Sequence, residues 1–90
     1  MANPAIVLVS EDHADELLSE FQSRYARDYD LPVAHSCAEA VEVAQTICDA
    51  GDLVALFVSD SRLPDVDTVL AAFAKWRSIV PNARRVVAAH

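Results

Sequence analysis

Glycine is almost absent from this sequence, which holds a single glycine, Gly51, and four prolines in ninety residues. Glycine-rich phosphate loops and nucleophile elbows both need glycines at defined spacings, so neither kind of site is indicated. The low glycine and proline content, together with a hydrophobic fraction of 53%, also argues against a linker or a disordered segment. We expect one domain over residues 1–90 with a hydrophobic core of its own.

Basic residues and long apolar runs are also scarce. Seven Lys and Arg stand against fourteen Asp and Glu, for a net charge of −7. A negative field of this kind repels nucleic acid and anionic membranes, so direct binding of either is disfavoured. No apolar run approaches the roughly 20 residues of a membrane span, and the run Ala5–Val9 is too short for a signal peptide. We expect a cytoplasmic protein without a membrane partner.

The two cysteines, Cys37 and Cys48, fall on one predicted helix about three turns apart. A disulfide between them would break that helix. The sequence has no Cys-x-x-Cys and no Cys/His pair at metal-ligand spacing, so it gives no support for zinc or redox chemistry. Both cysteines are predicted to be small core residues.

Short aliphatic runs alternate with helical patterns along the chain. The predicted strands are Ala5–Val9, Leu31–His35, Leu53–Ser59 and Arg85–Ala89. The predicted helices run from Asp12 to about Arg27, from a capping box of Ser36 and Glu39 to Gly51, and from a cap at Asp67 to Pro81. The order β-α-β-α-β-α-β predicts an α/β fold, an open parallel sheet flanked by helices. Pro32 cannot donate to a strand ladder, so the second strand is expected at a sheet edge.

Acidic side chains follow the first and third predicted strands. Open α/β sheets bind ligands beyond the carboxyl ends of their strands, where Glu11, Asp12 and Asp60 fall. If the first and third strands are neighbours, Glu11 and Asp60 converge, and such oxygen ligands suit Mg²⁺. The alternative is a solvated acidic rim in which Asp12 only caps the first helix. His13 borders these acids and is predicted to be a surface residue. The pattern alone does not choose between a site and a rim.

The stretch from Val58 to Asp67 resembles the motif of response-regulator receiver domains, in which hydrophobic residues lead to an Asp followed by x-x-(Met/Leu)-Pro. Three further segments are similar to that family: the acids after the first strand, Ser-Cys-Ala-Glu-Ala at the second helix, and Pro-Asn-Ala-Arg-Arg-Val-Val before the last strand. The resemblance covers the whole chain. It implies the flavodoxin-like receiver fold, here without its last helix, strand and helix.

The resemblance also implies a function in two-component signalling, as a phosphoacceptor module and not an enzyme. Carried over by position, Asp60 takes a phosphoryl group from a histidine kinase or phosphotransfer protein, which forms an aspartyl phosphate and regulates an attached or partner output domain. A Mg²⁺ ion would offset the charge gathered there. The implied metal ligands are Asp60, Glu11 and the backbone carbonyl of Arg62, with Asp12 as the ligand in an alternative register. Pro64 is implied to shape the loop.

The sequence departs from the receiver pattern at three places. Ser10 stands where a first carboxylate is usual, and Ala89 occupies the switch position that normally carries a hydroxyl. The strand with the usual lysine is missing, which would leave a hydrophobic strand as an open sheet edge. We therefore expect a fragment of a longer protein, or an edge that pairs with another chain, such as a homodimer. The alternative function is a pseudo-receiver, an interaction or dimerisation module that works without phosphorylation.

The stretches 24–29, 54–56 and 60–64 suggest a parent protein. They are similar to receivers fused ahead of a thioredoxin-reductase-like flavoprotein. Nothing in these ninety residues indicates FAD binding or redox chemistry.

Overall fold

Strands and helices alternate along the chain in the computed structural model, which describes residues 3–60 and 62–88. The elements are β1 (Ala5–Val9), α1 (Ala14–Tyr25), β2 (Val33–Ala34), α2 (Cys37–Asp49), β3 (Val54–Asp60), α3 (Val69–Ile79) and β4 (Arg84–Ala88). This order confirms the predicted β-α-β-α-β-α-β succession.

The strands form one parallel sheet in the order β2-β1-β3-β4. The short strand β2 lies at one edge, as Pro32 predicted, and β4 lies at the other edge among the described residues. Strands β1 and β3 are central neighbours, with Val9 paired to Ser59. This register brings the residues that follow Val9 next to the end of β3.

Helices cover both faces of the sheet. On one face, α2 and α3 pack on a buried cluster in which the rings of Phe57 and Trp76 stack with centroids 4.8 Å apart. On the other face, Leu17 of α1 packs against Ile6, Leu8 and Val58. Because helices flank both faces, β1 and β3 are apolar almost throughout, as doubly covered parallel strands require.

The limits of α2 follow the sequence signals. The Ser36 Oγ accepts a hydrogen bond from the Glu39 amide at 3.1 Å, which caps the start of the helix. The Glu39 carboxylate accepts from the amide of His35 at 3.2 Å and does not return to Ser36. At the other end, Gly51 has a φ of +82°, the left-handed conformation that glycine adopts without strain. Both cysteines lie on α2 and are free thiols.

The other two helices begin later than predicted. Helix α1 starts at Ala14, because the His13 amide bonds to the Ser10 hydroxyl and the chain turns before the helix. It ends at Tyr25, whose carbonyl accepts from two amides in the following turn. Helix α3 is capped by Thr68 and not by Asp67, because the extended backbone at Thr68 lets its Oγ1 accept from the Ala71 amide at 3.3 Å.

Two leucines, one in a predicted strand and one in a predicted helix, are exposed. Leu53 precedes β3 and is 72% exposed, because the strand begins one residue later, at Val54. Leu70 is 71% exposed, because the buried side of α3 runs through Ala72 and Trp76. Strand β3 also extends through Asp60, which pairs with Ala88 of β4.

Candidate functional site

The candidate site lies where β1 and β3 end side by side. Asp60 is the last residue of β3 and is only 8% exposed, and Ser10 follows β1 directly and is fully buried. The Ser10 hydroxyl donates a hydrogen bond to Oδ2 of Asp60. A buried carboxylate needs hydrogen-bond donors to offset the water it has lost, and Ser10 supplies one from within the fold.

His13 completes the surroundings of this carboxylate. Its backbone amide donates to the Ser10 Oγ at 2.8 Å, so the hydroxyl accepts from the start of α1 while it donates to Asp60. The imidazole Nδ1 of His13 lies 3.6 Å from Oδ2 of Asp60, and the ring is partly open to solvent. His13 is therefore partly exposed, as predicted, but the prediction missed that its imidazole also lies close to Asp60.

The other predicted carboxylate ligands are Glu11 and Asp12. Both are exposed in the turn between β1 and α1. Over residues 3–60 and 62–88, no group of three or more His, Cys, Asp or Glu side chains could hold a metal ion. Magnesium often takes only one or two protein carboxylates and completes its shell with water. Asp60 supplies one such carboxylate at the end of β3.

The loop 62–68, which follows β3, is anchored in the core by Leu63, three residues after Asp60. Arg62 is exposed, whereas Leu63 is buried in the same cluster as Phe57 and Trp76. Pro64 lies in the turn that follows. The predicted switch position, Ala89, lies outside the described residues.

Sequence reasoning missed Asp65, which the structure ties to a distant helix. Its two carboxylate oxygens accept hydrogen bonds from the amides of Cys37 at 2.9 Å and Ala38 at 2.8 Å, in the first turn of α2. Asp65 is exposed overall. The water lost by its carboxylate raises the pKa, but hydrogen bonds from the amides of Ala38, Cys37 and Asp65 itself, with the positive charge of Lys75, outweigh this and leave the pKa below its ordinary value. No local pattern pointed to this contact, because the partners are 27 and 28 residues apart.

Ser10 was also missed as a partner of Asp60, although the sequence marked it as a departure from the receiver pattern. The signal was its place directly after a buried strand. The hydroxyl could be assigned to Asp60 only once β1 and β3 were known to be neighbours.

Comparison with known proteins gives the fold. No protein-family model matches the chain. Nor does any curated protein match it significantly. The chain is similar to the crystal structure of the signal receiver domain of an HD domain-containing protein from Pseudomonas fluorescens Pf-5, with a TM-score of 0.70 and 23% identity. The match covers 97% of this chain and 59% of that chain.

None of the helices in the described ranges is both long and apolar enough to cross a membrane.

The chain forms a parallel four-stranded sheet with helices on both faces, and the structural match covers nearly the whole length of this chain. These two findings show that it has the flavodoxin-like receiver fold.

Proposed function

We propose that this chain is a receiver module of a two-component phosphorelay, with Asp60 as its phosphoryl acceptor. The observation that carries the proposal is the place of Asp60 at the carboxyl end of a central strand, beside the end of β1, in a receiver fold. The donor would be a histidine kinase or a phosphotransfer protein in the cytoplasm. The module would be regulatory, with its output in an attached or partner domain.

Phosphoryl transfer to Asp60 would be an in-line displacement at phosphorus. A carboxylate oxygen of Asp60 would form the new P–O bond while the P–N bond of the donor phosphohistidine breaks. The electron pair of that bond would leave with the imidazole nitrogen, which then takes a proton from solvent. Positioning and charge neutralisation dominate reactions of this class. His13 is suited to the second task, because its imidazole, when protonated, is a cation close to Asp60.

Magnesium fits this proposal as the chief neutralising charge. Asp60, Glu11 and the carbonyl of Arg62 would hold it, with Asp12 in the alternative register. The ion would offset the negative charge that gathers when a dianionic phosphoryl group meets a carboxylate. Ser10 contributes no charge where a second carboxylate is usual, so the affinity for magnesium should be lower than that of a site with two adjacent acids.

The same geometry favours a second candidate, a pseudo-receiver that acts by binding or dimerisation without phosphorylation. Asp60 accepts a hydrogen bond from buried Ser10 and exposes little of its surface. A donor could reach the carboxylate only after a rearrangement of these side chains. Replacement of an acid by Ser10, and of the usual switch hydroxyl by Ala89, is consistent with a site that no longer cycles.

Phosphorylation of the full-length protein separates the two candidates. The protein is incubated with Mg²⁺ and acetyl phosphate, and intact-mass spectrometry follows the phosphoryl adduct. The receiver proposal expects an adduct on the wild type and none on Asp60→Asn. If a control receiver is phosphorylated in parallel and this protein is not, the phosphoacceptor proposal fails and the pseudo-receiver stands.

Magnesium dependence supplies a sharper version of this test. Glu11→Gln should raise the Mg²⁺ concentration needed for half-maximal phosphorylation, because it removes a ligand charge. Glu16→Gln is the matched control, since it makes the same change at an exposed position of α1. Equal magnesium dependence in the two variants would remove Glu11 from the ligand set.

A further inference from the structure

The side chain of Asp65 connects loop 62–68 to the first turn of α2. The two carboxylate oxygens bond separately to the amides of Cys37 and Ala38, which are donors left unpaired at the start of a helix. Leu63, two residues earlier, is buried in the core. The chain leaving Asp60 is therefore fixed first by an apolar contact and then by a pair of charge-assisted hydrogen bonds.

Electrostatics favours the ionised form of Asp65 at this place. A negative charge at a helix N-terminus is stabilised by the helix dipole, and Lys75 of α3 adds a positive charge. Cys37, in contrast, is almost fully buried, and that burial, followed by the negative charge of Asp65, raises the pKa of its thiol. Of these two groups, the Asp65 carboxylate is charged and the buried Cys37 thiol is neutral.

Further contacts in the core connect the start of α2 to β3, the strand that carries Asp60. The carbonyl of Cys37 accepts a hydrogen bond from the indole Nε1 of Trp76 at 3.4 Å. The Trp76 ring stacks on Phe57, which lies in β3 three residues before Asp60. A continuous series of contacts thus leads from Asp65 through α2 and α3 to β3.

We propose that Asp65 is a positioning residue for the Asp60 site. By holding loop 62–68 against α2, it fixes the position of the loop that follows the Asp60 site, and it makes the reactivity of Asp60 depend on the start of α2. This inference rests on the proposed phosphoacceptor function and extends it to a residue other than Asp60 and its predicted metal ligands. Asn at position 65 cannot replace the carboxylate, because its NH₂ would face one of the two amide donors.

The first arm of the test measures the maximal rate of Asp60 phosphorylation at saturating acetyl phosphate and Mg²⁺ in the full-length protein. Asp65→Asn should lower that rate by about tenfold or more, because small displacements of reacting groups are costly. Asp67→Asn is the matched control, with the same chemical change at an exposed position of the same loop, and should keep the wild-type rate. A wild-type rate in Asp65→Asn overturns the proposal.

A second control separates positioning from stability. Leu17→Ala weakens the opposite face of the sheet, away from the loop, and should keep the wild-type maximal rate while it remains folded. If Leu17→Ala slows phosphorylation as much as Asp65→Asn does, the effect belongs to general destabilisation, and the positioning role is rejected.

The second arm does not depend on phosphorylation. In a Cys48→Ala background, iodoacetamide alkylation of Cys37 reports whether α2 has come away from the loop, because the Cys37 side chain is hidden in the intact structure. Asp65→Asn should raise the alkylation rate, and Asp67→Asn should not. Equal alkylation rates in Asp65→Asn and Asp67→Asn would show that Asp65 does not hold the loop.

The two arms together distinguish the possible failures. If the wild type takes no phosphoryl group, the proposed function fails and the positioning role fails with it. Alkylation of Cys37 then still shows whether the Asp65 contact itself holds the loop.

Discussion

The two faces of the sheet differ in how completely they are covered. On the α2–α3 face, Phe57 and Trp76 stack in a closed cluster, and the Trp76 indole is itself hydrogen-bonded. On the α1 face, a single helix covers the sheet among the described residues. Its aromatic side chains Phe21 and Tyr25 contact each other, and Phe21 is partly buried whereas Tyr25 is exposed.

The candidate site contacts the helix layers on both faces of the sheet. Loop 62–68 is anchored on the α2–α3 face through Leu63 and Asp65. The Ser10–His13 turn joins the site to α1 on the other face. Asp60 therefore lies between a layer of two helices and a thinner layer of one, and changes to the two layers should affect the protein unequally.

The largest expected effect comes from the indole at the centre of the packed face. Trp76→Ala should lower the free energy of unfolding by about 3–5 kcal/mol, because it removes a fully buried ring and leaves a cavity. Leu17→Ala, its counterpart on the α1 face, should cost about 2–3 kcal/mol, toward the low end for buried leucines, since the thinner layer can collapse. Urea denaturation followed by circular dichroism measures both. Equal losses would contradict the contrast between the faces.

A smaller and pH-dependent effect is expected for the carboxylate that ties the loop to α2. Asp65→Asn should cost about 1 kcal/mol at neutral pH, the usual size of a helix-capping interaction. The folded state lowers the pKa of Asp65, so the stabilisation is full above its ordinary value of 3.8 and is lost as the pH falls through the lower folded-state pKa. Urea denaturation at pH 7 and in strong acid checks this, with Asp67→Asn as the control. A difference between Asp65→Asn and wild type that is the same at both pH values would contradict it.

The smallest effect is expected at the partly exposed edge strand. Val87→Thr in β4 should change the free energy of unfolding by no more than about 0.5 kcal/mol, because the side chain is already 42% exposed. A loss of more than about 2 kcal/mol, of the size seen at buried sites, would mean that β4 is covered in solution. Urea denaturation measures this change as well. The loss of unfolding free energy at this edge position should be smaller than the losses for Trp76→Ala and Leu17→Ala.

The sequence predicted the succession of elements well, because their signals are local. Apolar runs marked the strands, Ser36 marked the start of α2, and Gly51 marked its end. Predictions failed where two local signals competed. Asp67 and Thr68 are both good caps, and only the extended backbone at Thr68 decides between them. Leu53 and Leu70 fit the apolar pattern, but the actual register leaves both in solvent.

Within the candidate site, the sequence identified Asp60 but not the groups that touch it. Its position at a strand end follows from an apolar run and the Asp-Ser-Arg-Leu-Pro motif, both of which can be read along the chain. Ser10 lies fifty residues away from Asp60, and Asp65 lies 28 residues away from Cys37. Contacts at such separations depend on which strands are neighbours and on how a loop packs, so no local pattern encodes them.

The sequence by itself thus determined an alternating α/β chain whose third strand ends in an acidic residue, Asp60. The tertiary structure alone decided that a buried hydroxyl bonds to that residue and that Asp65 holds the adjoining loop to α2. The physical reason is that hydrophobic periodicity fixes the elements one at a time. The surroundings of a carboxylate, in contrast, are fixed only when separate elements pack together and its oxygens meet donors from distant parts of the chain.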